Sequence, residues 1–234
     1  MRLALRSMSI LVGLCCVFAA SASGQVARAV VALHADLLGL TAPAVGGLPA
    51  GWRVRAVRGF EAPSSQIVDS GGQRFFRIGG TKRAAWFVNE LRMPLSAGTG
   101  TLNWTWRVPL APVGASAQSS ATDDAALRVF VVFERHARFA RTPRALFYTL
   151  GVGESALVPA SRGPMVSINA GRPDASRTWV DVSANPGRDY QRIWGGDAPR
   201  IVAVGVMQDT DQTMRAAIGD MLQLEWRKSD APSP

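Results

Sequence analysis

The chain has 234 residues, is 47% hydrophobic and carries a formal net charge of +9. That length and apolar content suit one ordinary domain with its own core, and they exclude a disordered or fibrous chain. The two cysteines, Cys15 and Cys16, stand close to the start, so the rest of the chain offers no disulfide, thiolate nucleophile or thiolate metal site.

Arg2 and Arg6 precede a short apolar run, "SILVGLCCVFAA", and the small residues of "ASASGQ" follow it. This is the layout of a cleaved secretory signal peptide over residues 1–24, with cleavage fitting after Ala22 or after Gly24. The run is short for the ~30 Å of a hydrocarbon core and no second span follows, so no transmembrane segment is expected in the mature chain. Leu14 stands before Cys15 where a lipobox has a small residue, which argues against lipidation. The expected location is periplasmic or secreted. Cleavage removes both cysteines and takes the charge from +9 to +7. Nearly every remaining cation is arginine; Lys82 and Lys228 are the only lysines. Such a surface suits an anionic envelope component as partner, or serves solubility alone. Scattered arginines with no recognisable module argue against nucleic acid.

Residues 25–50 read as an N-terminal helix, "VARAVVALHADLLGL", that docks outside the main body, followed by a linker, "TAPAVGGLPAG". From Trp52 the period changes to two. "WRVRAV" is a strand, and "QIVDSGGQRFFRI" is a hairpin around Ser70-Gly71-Gly72. "AAWFVNEL" follows. In "LNWTWRV", Leu102, Trp104, Trp106 and Val108 share one face. "LRVFVVF" and "IVAVGVM" are apolar on both faces, as central strands are. "ALFYTL" and "MVSINA" are weaker strands, and "MLQLEW" places Leu222, Leu224 and Trp226 inward. One internal helix is expected: Asn185 caps it, Pro186 begins it and Gly195-Gly196 stops it. The fold class is therefore all-β, an antiparallel β-sandwich over 51–228 with one or two short helices and a disordered tail at 229–234.

Four stretches, "LNWTWRV", "DDAALRVFVVF", "RDYQRIWG" and "VGVMQDTDQT…AAIGDMLQLEW", occur in an order and spacing that resemble an exported bacterial family known only as the domain of unknown function numbered three thousand and forty-seven. The resemblance runs from about Trp52 to Trp226. It implies a secreted jelly-roll sandwich, similar in outline to galactose-binding-like carbohydrate modules, and it implies no activity. This chain departs from the family ending "DTDNT", since Gln212 stands in place of the asparagine.

Three groups of residues bear on function. Asp123 and Asp124 stand just before one central strand, and Asp209 and Asp211 just after another. If those strands are antiparallel neighbours, the four carboxylates meet at one end of the sheet and require neutralisation. An oxygen-only set suits Ca²⁺; turn hydrogen bonds and pairing to Arg128, Arg188 or Arg215 are the plainer alternative. The second group is aromatic: Trp104, Trp106, Trp179, Trp194 and Tyr148, of which Trp194 is the better surface candidate because it follows a short helix and precedes two glycines. The third is the loop "ERHARFARTPRA", with Arg135, Arg138, Arg141 and Arg144 spaced by three and His136 among them. The expected ligand-binding set is Asp124, Asp209, Asp211, Trp194 and Arg188, with Asp123 joining the aspartates at a cation. No nucleophile elbow, Walker loop or zinc-protease motif is present, and no catalytic residue is assigned. The expectation is a non-catalytic exported sandwich that binds a glycan or another envelope ligand, with bound calcium. A carbohydrate hydrolase using Asp124 and Asp209, or an envelope structural protein on anionic surfaces, are the alternatives.

Overall fold

The computed structural model describes residues 34–44, 46–116, 119, 121–135, 142–150, 157–159, 165–170 and 177–228. Residues 1–33 and 229–234 and most of the arginine loop, with His136, Arg138 and Arg141, lie outside these residues. Among the described residues no helix is long and apolar enough to cross a membrane.

The strands in chain order are β1 (His34–Asp36), β2 (Trp52–Ala56), β3 (Ser64–Ser70), β4 (Gln73–Thr81), β5 (Ala84–Leu95), β6 (Gly100–Leu110), β7 (Ala125–Phe133), β8 (Ala145–Thr149), β9 (Leu157–Pro159), β10 (Met165–Asn169), β11 (Val180–Ala184), β12 (Ile201–Asp209) and β13 (Ala216–Lys228). They form two sheets. The six-stranded sheet runs β11-β6-β13-β4-β3, with β1 on the far part of β13; the seven-stranded sheet runs β2-β5-β12-β7-β8-β10-β9. Neighbours are antiparallel except β8 and β10, which pair in parallel. The result is a jelly-roll β-sandwich, as the alternating pattern implied.

The core lies between the sheets. Trp104 and Trp106 of β6 both point inward and are 1% and 0% exposed, meeting edge to face at 5.5 Å. Leu127, Val129, Val131 and Phe133 of β7 oppose them in the same apolar cluster, with Phe76, Ile78, Leu224 and Trp226. The two strands apolar on both faces, β7 and β12, lie side by side at the centre of their sheet. Arg-bearing Arg128, Phe130 and Val132 alternate with the core residues of β7 and so face away from the other sheet.

Two expectations are corrected. His34–Asp36 is a strand paired with Glu225–Arg227, not part of an outlying helix. Leu37 and Leu38, expected in the same helix, are buried in the core instead, and the Leu37 carbonyl accepts from Trp52 Nε1 at 3.1 Å and Asn89 Nδ2 at 2.9 Å. Second, a bulge in β13 between Met221 and Gln223 turns Met221 and Leu224 inward together, leaving Leu222 half-buried on the outer side.

The helix, α1 (Pro186–Trp194), starts as expected, with Asn185 Oδ1 accepting from the Arg188 amide at 2.9 Å. Gly187 packs against the short 3-10 turn at Ala97–Thr99, where a Cβ would meet the Ala97 carbonyl at 2.4 Å. Tyr148 of β8 donates to Asp189 Oδ2 at 2.9 Å and ties the helix to the sheet.

Candidate functional site

β12 and β7 run antiparallel with Asp209 opposite Ala125, so the segment before β7 and the segment after β12 reach the same end of the sheet. There one oxygen each of Asp124, Asp209 and Asp211 lies within 4.8 Å of the others, and the three can hold a metal ion. The residue between the two later acids explains how they converge. Thr210 is fully buried, and its hydroxyl accepts from the Arg83 amide and donates to the Arg83 carbonyl, each at 2.9 Å. That clamp to the β4–β5 turn fixes the backbone, so Asp209 and Asp211 lean toward Asp124.

Asp124 organises the loop. Its Oδ1 accepts from the Gln212 amide at 3.1 Å and its Oδ2 from the Thr213 amide at 2.7 Å and from the Thr213 hydroxyl. Asp123 turns the other way, and its Oδ1 accepts from Arg128 at 2.7 Å. The structure thus brings together three of the four aspartates, and adjacent residues in an extended chain point apart. Arg128, 5% exposed, holds Asp123 on one side and Asp209 Oδ2 on the other, at 3.3 Å.

Several oxygens in this cluster are left over. Asp209 Oδ1, Asp211 Oδ1 and Gln212 Oε1 are buried with no hydrogen-bond partner among the described residues. Unpartnered buried acceptors are rare in native proteins and call for a donor or a cation. Gln212 thus adds an amide oxygen without a donor to those of the two carboxylates. Burial pushes the Asp209 carboxyl up to about 7; Arg128 opposes the rise, and a hydrogen bond with Asp211, formed when Asp209 holds its proton, adds to it together with the charges of Asp211 and Asp124.

Arg188 and Trp194 do not join this cluster. Both are on α1, and Trp194 packs on Tyr190 at 4.9 Å and on Phe133, at the far end of β7. Eight residues of strand separate Ile201 from Asp209, roughly 26 Å. Trp194 is half-buried under the Arg144 guanidinium, 5.2 Å from its ring. Trp104, Trp106 and Tyr148 are core residues. Trp179 lies on the outer side of the other sheet, edge-on to Phe75 and under Arg107.

The residues that sequence reasoning passed over lie beside the aspartates, on the outer face of the seven-stranded sheet. Val88, Phe130, Ala145, Phe147, Ala203 and Met207 form a second apolar cluster there, with Trp86 half-buried against it. The alternation of "AAWFVNEL" and "LRVFVVF" separates these from the core residues, but apolar character on both faces conceals which set is which.

No curated protein matches the chain. Solved structures that resemble it include the family 11 carbohydrate-binding module from Clostridium thermocellum in complex with a β-1,3-1,4-mixed-linked tetrasaccharide, at 12% identity and TM-score 0.46, covering 84% of this chain and 96% of that one. TmCBM61 in complex with β-1,4-galactotriose matches at 10% identity and TM-score 0.41, covering 83% and 99%. The family 11 xylanase from Neocallimastix patriciarum matches at 8% identity and TM-score 0.44, covering 76% and 91%. A family model matches residues 50–224, nearly the whole sandwich with its aspartate rim, and the chain belongs to that family, described as Protein of unknown function (DUF3047).

Proposed function

We propose that this chain is an exported, non-catalytic sandwich that binds an envelope glycan, with calcium held by Asp124, Asp209 and Asp211. The observation that carries the reading is the set of buried oxygens at the sheet rim, of which Asp209 Oδ1, Asp211 Oδ1 and Gln212 Oε1 have no donor once both acids are ionised. Oxygen-only ligands from a loop suit Ca²⁺, which accepts six to eight of them in flexible geometry; Mg²⁺ demands a near-ideal octahedron and keeps its waters. A cation at a rim keeps coordination positions that sugar hydroxyls can fill.

The test is calorimetric titration of the mature protein with the mixed-linked tetrasaccharide and β-1,4-galactotriose, followed by a glycan array, each in millimolar Ca²⁺ and in chelator. Saturable binding that weakens in chelator is expected. No binding to any glycan in calcium overturns the reading.

One observation favours hydrolysis instead. An acid raised to about 7, such as Asp209, still carries a proton at neutral pH and faces a second carboxylate. However, the oxygens lie within 4.8 Å, tighter than the roughly 5–9 Å between the carboxyl groups of glycosidases. Release of reducing sugar from either oligosaccharide would decide for the enzyme.

A further inference from the structure

We infer that the glycan lies in a hollow on the outer face of the six-stranded sheet and that it is acidic, a uronate-bearing oligosaccharide whose carboxylate meets Arg77 and Arg107; the inference rests on the glycan reading above.

The register builds the hollow. Phe76 and Ile78 of β4 face the core, so Arg77 and Gly79 face outward. Gln66, Arg77, Asp220 and Arg107 are successive cross-strand partners over β3, β4, β13 and β6. Ser64, Gly79, Ile218 and Leu110 form the next row on the same face. Gly79 places no side chain between Ser64 and Ile218, and a hollow of about 470 Å³ opens there, lined by Ser64, Gln66, Arg77, Leu110 and Ile218. Neither backbone nor packing requires that glycine. Its φ is not positive, and a Cβ there would make ordinary contacts, 3.4 Å from Ile218 Cγ1 and 3.5 Å from the Ala217 carbonyl oxygen. Glycine within a strand weakens it and marks a place where a ligand comes close to the backbone. The volume falls in the range of ligand sites. Leu110, 37% exposed, and half-buried Ile218 offer an apolar wall to the C–H face of a sugar. Ser64 and Gln66 offer a hydroxyl and an amide to its hydroxyl groups.

Charge selects the class of sugar. Two guanidinium groups share one carboxylate: Asp220 is fully buried, whereas the side chains of Arg77 and Arg107 are 32% and 26% exposed. Arg77 gives Asp220 its Nε and Nη2 and Arg107 its Nε, so Arg77 Nη1 and both Nη of Arg107 have no partner among the described residues. Both groups are held in place, since Arg77 and Arg107 also lie on the Phe75 ring at 5.3 and 4.9 Å, and Arg107 on Trp179 at 4.3 Å. Fixed forks of this kind fit a carboxylate, and one surplus charge suits the single charge of a uronate. The next acid on this face, Asp181, accepts from the Thr105 hydroxyl at 2.6 Å and stands on β11, beyond Arg107 from the hollow. Lys82 and Arg215, exposed and each next to a lining residue, add two cations at the end of the hollow. That end adjoins the aspartate loop: Ala216 lines it, three residues after Thr213, whose amide Asp124 holds at 2.7 Å. A hollow of about 550 Å³ between β1 and β4 differs in that its cations are paired, His34 with Glu225 and Arg74 with Asp69.

Cellotriose and cellotriuronic acid, its counterpart with every primary alcohol oxidised to a carboxylate, differ only in the group that Arg77 and Arg107 would read. Both are titrated calorimetrically, in millimolar Ca²⁺, into wild type, Arg107→Gln, Gly79→Val and Arg188→Gln, and so is any hit from an array of acidic and neutral glycans. The uronate should bind wild type about tenfold more tightly than the neutral sugar, with a preference that fades as salt rises. Arg107→Gln should remove that preference. Gly79→Val should weaken both sugars, and Arg188→Gln, the same change of charge on α1, should alter neither. Gly79→Val leaves every arginine in place and carries the test if Arg107→Gln fails to fold. Wild-type hits that are all neutral, or a uronate affinity unchanged in both Arg107→Gln and Gly79→Val, overturn this inference and leave the glycan reading standing. A wild type that binds no glycan overturns that reading, and this inference with it.

Discussion

At the scale of single residues, Asp209 governs two measurable properties. In the metal-free protein its carboxyl stands at about 7 against an ordinary 3.8. Between those values the folded protein keeps a proton that the unfolded chain has released, so folding stability falls as pH rises from about 4 to about 7. Thermal midpoints across that range should show the decline, and Asp209→Asn should flatten it. Calcium at the proposed site should reverse the sign, because the cation requires the carboxylate. Binding should tighten through pH 7 and release a proton, visible as a heat that depends on the ionisation enthalpy of the buffer. Calcium at about 100 times its dissociation constant adds roughly 2.7 kcal/mol, or roughly 5–10 °C for a domain of this size. Asp209→Ala and Asp211→Ala should both lose that gain; a gain that persists in either would place the cation elsewhere.

At the scale of elements, the centre of the outer side of the six-stranded sheet is held by a buried acid. Asp220, fully buried, accepts from Arg77 at 2.7 and 2.8 Å and from Arg107 at 2.7 Å. Asp220→Ala would leave two guanidinium groups facing each other and should cost about 3–5 kcal/mol in urea unfolding. Tyr148→Phe should loosen α1 by about 1 kcal/mol, because Asp189 loses the phenol that steadies its charge in a setting where burial raises its pKa. The elements were legible where one pattern ruled. β6 alternates strictly, β7 and β12 are apolar throughout, and α1 carries its cap and its stop. β1 and β9 were not legible, since three residues set no period of their own, and β11, short and followed at once by the helix cap, was passed over. The bulge after Met221 shifts the phase of β13, which no periodicity argument anticipates. In the candidate site the pairing of two central strands brought Asp124 and Asp209 into view. The outer apolar cluster with Trp86 stayed hidden because β5 and β7 are apolar on both faces, and only the register separates it from the core.

At the scale of the molecule, the sandwich begins earlier than its clearest strands suggest. A chain beginning at Gly51 would lose β1 and leave the places of Leu37 and Leu38 empty. At about 1.5–3 kcal/mol for each fully buried leucine, that should remove roughly 3–6 kcal/mol relative to a chain beginning at Ala32, as a lower denaturant midpoint would show. The pairing of β1 with β13 has a further consequence, in time rather than in energy. His34 meets Glu225 across 191 residues of chain, and β12, near the end of the sequence, is the strand on which β5 and β7 both close. Contacts so distant along the chain make folding slow, on the order of milliseconds to seconds. A ribosome adding about 5–20 residues per second would leave the earlier strands waiting many seconds for their partners. The sandwich thus stays incomplete until β12 and β13 have been synthesised, a delay that would suit the proposed export by leaving the chain unfolded meanwhile.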